Sequence, residues 1–316
     1  MTTDLKSSEA PIFLVGATAT GKSALAMELA RRTGAAILAM DAMQVYRGAD
    51  IGTSKATKAE RAEVPHGGLD LVDFAPAEGS KERFDVAQYL RHATEFLVEQ
   101  RAAGRRVIIA GGTGLYFRAL TRGLCEAPQG PEDLRAELNG LSVEELRERL
   151  GKVDPGMVER IDAANPRRLA RAIEVMEATG KSLRAWQEET PEPLVREFAA
   201  YWVGREKGEL EQRIEKRVEE MFAQGWVEEV RGLMERYGVE TVKGFPGIGY
   251  REIGEALVES TGRLAPDTLK RVKGDILVAT RQYAKRQLTW FAREPKLQKV
   301  MLTGSQPISM VLPSLL

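Results

Sequence analysis

The apolar positions of this chain fall into short runs separated by helical stretches, and that alternation predicts an architecture before any single residue is weighed. Residues 11–15 (PIFLV) form an apolar run that stops at a glycine, as a strand buried on both faces does. After Lys22, Leu25 and Leu29 stand four apart with Ala26 and Ala30 beside them, which marks one face of a helix. Further strands are expected at residues 36–40 and 69–74, a helix from about 84 to 100, and a fourth strand at 107–110 that runs into Gly111-Gly112-Thr113-Gly114. Alternation of this kind builds a parallel sheet covered by helices, so the expected fold class is α/β.

From about Gly123 the pattern changes. Residues 131–189 carry helical periodicity interrupted at Gly140, Gly151, Pro155 and Pro166, which predicts an inserted all-helical subdomain. A strand at 198–203 returns to the sheet, a long helix follows over 266–293, and 300–302 adds a last strand. The expected organisation is a first core segment at 11–122, the inserted helices at 123–196, and completion of the core over 197–316.

Composition narrows the function classes. With 316 residues, 43% of them hydrophobic and 29% charged, the chain has the make-up of a globular protein of two domains or of one domain with an insertion. No apolar run is long enough to cross a bilayer, and residues 1–10 lack a basic start and apolar stretch, so the expectation is a cytoplasmic protein with no membrane role. The single cysteine, Cys125, excludes an intrachain disulfide, and His66 and His92 are not at zinc-ligand spacing. A net charge of zero excludes attachment to nucleic acid by bulk basicity but leaves room for local basic surfaces. Two stretches qualify, residues 165–171 and 270–293, although charged helix faces are commonly just solvated.

The strongest chemical signal is Gly16-Ala17-Thr18-Ala19-Thr20-Gly21-Lys22-Ser23, a full G-x-x-x-x-G-K-[ST] match between an apolar strand and a helix. Its glycines let backbone N–H groups close around phosphate oxygens, Lys22 neutralises the terminal phosphate, and the Ser23 hydroxyl is placed to hold Mg²⁺. A diphosphate offers the same oxygens as the end of a nucleotide, so the loop indicates phosphate binding without saying whether the phosphate is transferred. The second signal begins at Asp41 and runs Asp41-Ala42-Met43-Gln44-Val45-Tyr46-Arg47-Gly48, directly after the second strand. A carboxylate there suits a general base or a metal ligand, and equally a helix cap. Third, Gly111-Gly112-Thr113-Gly114-Leu115-Tyr116 permits close backbone approach to a ligand and places the Thr113 hydroxyl at a strand end. Ligands of parallel sheets sit past the carboxyl ends of the strands, so these three segments are expected to share one crevice. Up to this point a prenyl transferase, a small-molecule kinase and a nucleotide-switched RNA-binding protein all remain open.

Taken together the three segments resemble the tRNA dimethylallyltransferases, also called tRNA isopentenyltransferases. The likeness continues through Asn165-Pro166-Arg167-Arg168-Leu169, Arg213 with Arg217, Gly247-Ile248-Gly249-Tyr250-Arg251-Glu252, and Thr280-Arg281-Gln282-Tyr283-Ala284-Lys285-Arg286-Gln287-Leu288-Thr289-Trp290-Phe291, spanning about residues 11–293. Departures are Ala17 in place of the usual loop proline, Ala42 in place of serine, and Gly247 in place of alanine or cysteine.

The resemblance implies a P-loop NTPase-like sheet with inserted helices, acting on dimethylallyl diphosphate and the anticodon stem-loop of tRNA with Mg²⁺, as a monomer. The implied reaction moves the dimethylallyl group to N6 of adenosine 37 and releases diphosphate. Asp41 is then the base and Thr113 its neighbour, with Lys22 and Arg217 as charge partners of the leaving diphosphate. Residues Gly16 to Ser23 and Arg213 hold the diphosphate, and Ser23 is the metal ligand. The RNA contacts implied are Asp41, Ala42, Met43, Gln44, Pro166, Arg167, Arg168, Leu169, Gly249, Tyr250, Arg281, Lys285, Arg286, Gln287 and Trp290. For Trp290 the helix around it leaves two readings open, a base-stacking ring or a core residue.

Overall fold

The computed structural model describes residues 10–75 and 84–304. The polar stretch at 1–9 and the end of the expected third segment, 305–316, lie outside the described residues. The elements run β1 (Ile12–Val15), α1 (Lys22–Thr33), β2 (Ala36–Met40), α2 (Lys58–Glu63), β3 (His66–Gly67), α3 (Val86–Ala102), β4 (Val107–Gly111) and α4 (Gly114–Arg122). Five helices follow: α5 (Glu132–Asn139), α6 (Val143–Val153), α7 (Pro155–Val158), α8 (Pro166–Thr179) and α9 (Leu183–Glu188). The remainder is β5 (Ala199–Gly204), α10 (Lys207–Ala223), α11 (Trp226–Tyr237), α12 (Val239–Lys243), α13 (Tyr250–Glu259), α14 (Pro266–Phe291) and β6 (Gln298–Met301).

Six strands form one sheet in the order β3-β2-β4-β1-β5-β6, with every neighbouring pair parallel. The central strand β1 is buried at all four positions, which accounts for a continuous apolar run rather than an alternating one. Its residues still alternate between faces. Ile12 and Leu14 join Leu25, Leu29 and Ile108 on one side, while Phe13 meets Phe117 and Phe198 edge to face, at 5.2 Å between centroids in each pair, on the other. Because every described strand is parallel, their carboxyl ends point one way, and the loops that leave them collect on one edge.

One expected strand is corrected. Residues 69–74 do not form a strand; β3 lies before them at His66–Gly67, pairing with Ile37 and Leu38. Gly68, at φ +79°, and Asp70, at φ +54°, turn the chain out of the extended conformation. Only Val72 keeps a bridge, to Tyr46. The apolar character of this stretch has another cause: Phe74 packs between helices, against Phe245, Tyr237 and Tyr250.

The chain divides into two compact units, Met1–Phe117 with Val195–Leu316 and, separately, Arg118–Leu194. The second has its own core, in which Leu138, Leu146, Leu150, Leu169 and Ile173 interlock. Pro166 opens α8 behind an Asn165 cap whose side chain accepts from the Arg168 amide, the arrangement expected of a helix start.

Candidate active site

Between β1 and α1 the chain turns back on itself around backbone amides. Gly16 (φ +149°) lies against the end of β5, where an added Cβ would approach the Val203 carbonyl oxygen to 2.3 Å, so only glycine fits. Gly21 (φ +96°) makes the second turn and leads into α1, whose N-terminus supplies partial positive charge. The loop's carbonyls are turned away from this centre and tied down: the Thr20 hydroxyl and Lys22 Nζ both donate to Ala17 O, at 3.0 and 2.7 Å. From outside, Arg205 Nε donates to Thr20 O and Arg213 Nε to Ala19 O, each at 2.9 Å. The Thr18 amide is itself engaged, donating to Gln287 Oε1 at 2.8 Å, and the N-terminus of α1 beyond it offers the partial positive charge that anion binding uses.

The loop after β2 carries Asp41. Its Oδ1 accepts from the Met43 amide at 2.8 Å, and the Thr113 hydroxyl, at the end of β4, accepts from the Ala42 amide at 3.1 Å. Gln44 is fixed through its amide nitrogen, which donates to Thr53 O at 3.0 Å. That loop is held by Glu229, whose carboxylate accepts from the amides of Asp50, Ile51 and Gly52 and from the Tyr250 hydroxyl at 2.7 Å.

These loops line one cavity of about 580 Å³. Thr18, Lys22, Ser23, Asp41, Thr113 and Arg217 all face it. Burial, reinforced by the Arg217 charge and opposed by Asp41, pushes the Lys22 ammonium down to about 7. Burial also lowers Arg217, with Asp41 acting against it, and raises the Tyr283 phenol, with Asp41 adding to the rise. Two basic groups, Lys22 and Arg217, thus share this cavity with burial disfavouring their charged forms, a setting in which an anionic ligand would favour them.

Comparisons with known proteins place the chain in a family. Residues 44–294 match the family model described as IPP transferase. A tRNA dimethylallyltransferase of Methylacidiphilum infernorum is 41% identical over 294 residues, covering 93% of this chain and 86% of that protein. One from Geobacter metallireducens is 43% identical over 300 residues, covering 93% of each. The crystal structure of the tRNA isopentenylpyrophosphate transferase of Bacillus halodurans superposes with a TM-score of 0.64 at 30% identity, covering 97% of this chain and 95% of that one. This chain belongs to the IPP transferase family. A eukaryotic dimethylallyltransferase acting on tRNA shares the fold, with a TM-score of 0.77 at 23% identity over 93% of this chain and 74% of that one.

Within that family frame, the residues expected to touch RNA separate by exposure. Arg286 and Trp290 line the cavity together with Ala42, Met43 and Gln44. Trp290 is a cavity wall rather than core: its indole lies against Gly114, where an added Cβ would come within 2.1 Å of Nε1. Lys285 is exposed, as is Arg281, which is ion-paired with Glu215. In the helical unit Pro166, Arg167 and Arg168 are exposed.

Three expected contacts are corrected. Leu169 is fully buried in the core of the helical unit. Tyr250 is fully buried, and its hydroxyl is committed to Glu229. Gly249, at φ +94°, starts α13 against the Trp226 ring, with no room for a Cβ. Gln287, by contrast, lines the cavity with Arg286 and Trp290, although it is only 6% exposed and its amide is bonded to the P-loop. Arg213 braces the loop from its outer side through Ala19 O, whereas Arg217, one turn further along α10, faces the cavity. Arg205, Glu229 and Tyr283 were not anticipated. Arg205 follows directly on the carboxyl end of β5, as the P-loop follows β1, and that position is the signal by which it could have been found.

Proposed function

We propose that this chain transfers the dimethylallyl group of dimethylallyl diphosphate to N6 of adenosine 37 in tRNA, releasing diphosphate. The observation that carries this reading is the joint presence in one cavity of the P-loop cations and the Asp41 carboxylate. A site that only transferred phosphate would need the nucleophile's base beside the terminal phosphorus. Here the Asp41 carboxylate, the Arg286 charge and the Trp290 ring share the chamber with the phosphate cradle, which supports a reaction that joins a diphosphate-bearing substrate to a nucleotide.

In this reading the allylic C–O bond breaks, a C–N bond forms, and the amine proton passes to Asp41. Negative charge grows on the departing diphosphate and is met by Lys22, Arg217 and the loop amides. Thr113 holds the Ala42 amide and so fixes the turn that aims Asp41. Because the Gln44 amide nitrogen is held by Thr53, its carbonyl oxygen is the group offered to an amine. The target base must leave the anticodon-loop stack to enter, and the Trp290 ring and Arg286 charge suit an unstacked nucleotide.

A divalent cation fits the donor set. Among the described residues no cluster of three or more His, Cys, Asp or Glu could hold a metal ion alone, but the Ser23 hydroxyl and Asp41 face the same cavity. Mg²⁺ takes few protein ligands and completes its shell with phosphate oxygens and water, so Ser23 would hold it together with the diphosphate. When bound it neutralises diphosphate charge. No described helix is long and apolar enough to cross a membrane.

The test is incubation with labelled dimethylallyl diphosphate, unmodified tRNA and Mg²⁺. Label is expected on tRNA; γ-phosphate transfer from ATP without prenyl transfer would overturn the reading. The Arg286 charge makes its own prediction: Arg286→Ala should weaken tRNA binding and lower the slope of log affinity against log salt by about one charge. An unchanged slope would remove Arg286 from the RNA contact.

A further inference from the structure

Gln287 is a buried amide near the end of a 26-residue helix, and both ends of that amide are in use. Its Oε1 accepts from the Thr18 amide of the P-loop at 2.8 Å, across 269 residues of sequence. Its Nε2 donates to the Gly112 carbonyl at 3.0 Å, across 175 residues. Gly112 has no side chain to spare: an added Cβ would lie 2.0 Å from Gln287 Nε2 and 3.2 Å from the Gly16 carbonyl oxygen. The three segments therefore meet around one side chain. Gly112 is followed by Thr113, whose amide donates to Met40 O at 3.3 Å and whose hydroxyl accepts from the Ala42 amide next to Asp41.

We infer that Gln287 is a positioning residue that sets the register between the diphosphate loop and the Asp41 turn, through Thr18 on one side and Gly112–Thr113 on the other. This rests on the transferase reading for its meaning in turnover, although the brace itself can be tested without prenyl chemistry. The reasoning is geometric. The leaving group is held at the P-loop and the base stands on a different strand end, so the distance between them depends on how two loops are fastened. A primary amide donates and accepts in a single rigid plane, and here it bridges an N–H on one loop to a C=O on the other. The bond to Gly112 is buried and that to Thr18 partly buried, settings where an unmade partner costs more than at the surface. A shift of about 1 Å between reacting groups lowers rates on the order of 10²-fold. Arg286 and Gln287 both line the cavity, but Arg286 is exposed whereas Gln287 is buried with both ends of its amide bonded to the two loops, so the test below separates bracing from RNA contact.

Two variants test it, with wild type and Arg286→Ala alongside. Gln287→Glu keeps the shape and the acceptor for Thr18 but replaces the donor to Gly112 by a repelling oxygen. Gln287→Met keeps the length and removes both bonds. Three quantities are measured: single-turnover prenyl transfer at saturating substrates, tRNA Kd, and the Kd for inorganic pyrophosphate with Mg²⁺. Both variants are expected to lose about 10- to 100-fold in the saturating rate, to bind pyrophosphate at least threefold more weakly, and to keep tRNA Kd within twofold. Thermal unfolding is recorded so that pyrophosphate affinity is compared between folded proteins.

A variant with wild-type rate and wild-type pyrophosphate affinity would overturn the brace. So would a tenfold loss of tRNA affinity with the saturating rate retained, because Gln287 would then be an RNA reader. If wild type itself transfers no prenyl group, the transferase reading fails, and pyrophosphate binding alone decides the brace.

Discussion

Asp41→Asn is expected to lower the single-turnover rate by about 10²- to 10⁴-fold, the range that a positioned general base contributes, while tRNA Kd stays within twofold. The substitution is informative because asparagine keeps the shape and the Oδ1 acceptor for the Met43 amide, so the turn that carries it should persist. Only the charge and the basicity are lost. The charge has a second consequence. Asp41 supports the protonated forms of Lys22 and Arg217, so its removal makes both cations costlier to bury. Diphosphate affinity at neutral pH should therefore fall in Asp41→Asn even though Asp41 is itself an anion. Near-wild-type turnover in this variant would remove Asp41 as the base.

The second large effect is a pH dependence of diphosphate binding. With Lys22 near 7 in the empty site and held cationic by bound diphosphate, binding takes up a proton above that pH. Affinity is expected to fall about tenfold per pH unit above roughly 7, which gives a loss on the order of 10²-fold by pH 9. Pyrophosphate titrates in the same range, so the measurement is the ratio of wild-type to Lys22→Met affinity at each pH. Calorimetry in buffers of different ionisation heat counts the proton. A ratio that stays constant from pH 6 to 9 would exclude Lys22 as the titrating group. Folding stability moves in the opposite sense. Between about 7 and the ordinary 10.5 the unfolded chain holds the Lys22 proton and the folded chain does not, so this group's contribution to stability rises with pH across that interval.

How much of this was legible in the sequence depends on whether the signal was local. The P-loop, the Asp41 turn and the Gly111–Gly114 turn each follow an apolar run, and convergence followed from the rule that parallel strands present their carboxyl ends together. Helices α3 and α14 were placed to within a few residues by periodicity. The misplaced strand at 69–74 shows the limit. Leu69, Leu71, Val72 and Phe74 read as a strand because they are apolar at short spacing, but Phe74 is apolar in order to pack against Phe245 and Tyr250. Burial against helices and burial in a sheet leave the same mark in one dimension.

The site residues divide in the same way. Motif letters do not say how far a side chain is buried: Arg286 and Gln287 are adjacent and both line the cavity, yet Arg286 is exposed and Gln287 is buried. Glu229 carried no motif at all. Its importance comes from four donors brought to it by residues 50–52 and 250, a convergence that exists only after folding.

The long sequence separation between Thr18 and Gln287 has a consequence for the newly made chain. The phosphate loop leaves the ribosome well before the helix that braces it, 269 residues further along the chain. Contacts between such distant segments close late, after the entropy of the intervening chain has been given up. A nascent chain long enough to display the whole P-loop motif, but stopped before α14, carries the cradle without the side chain that registers it to Asp41. Catalytic competence therefore arrives only once α14 has been made, and a chain stopped before it holds the phosphate motif without the means to use it.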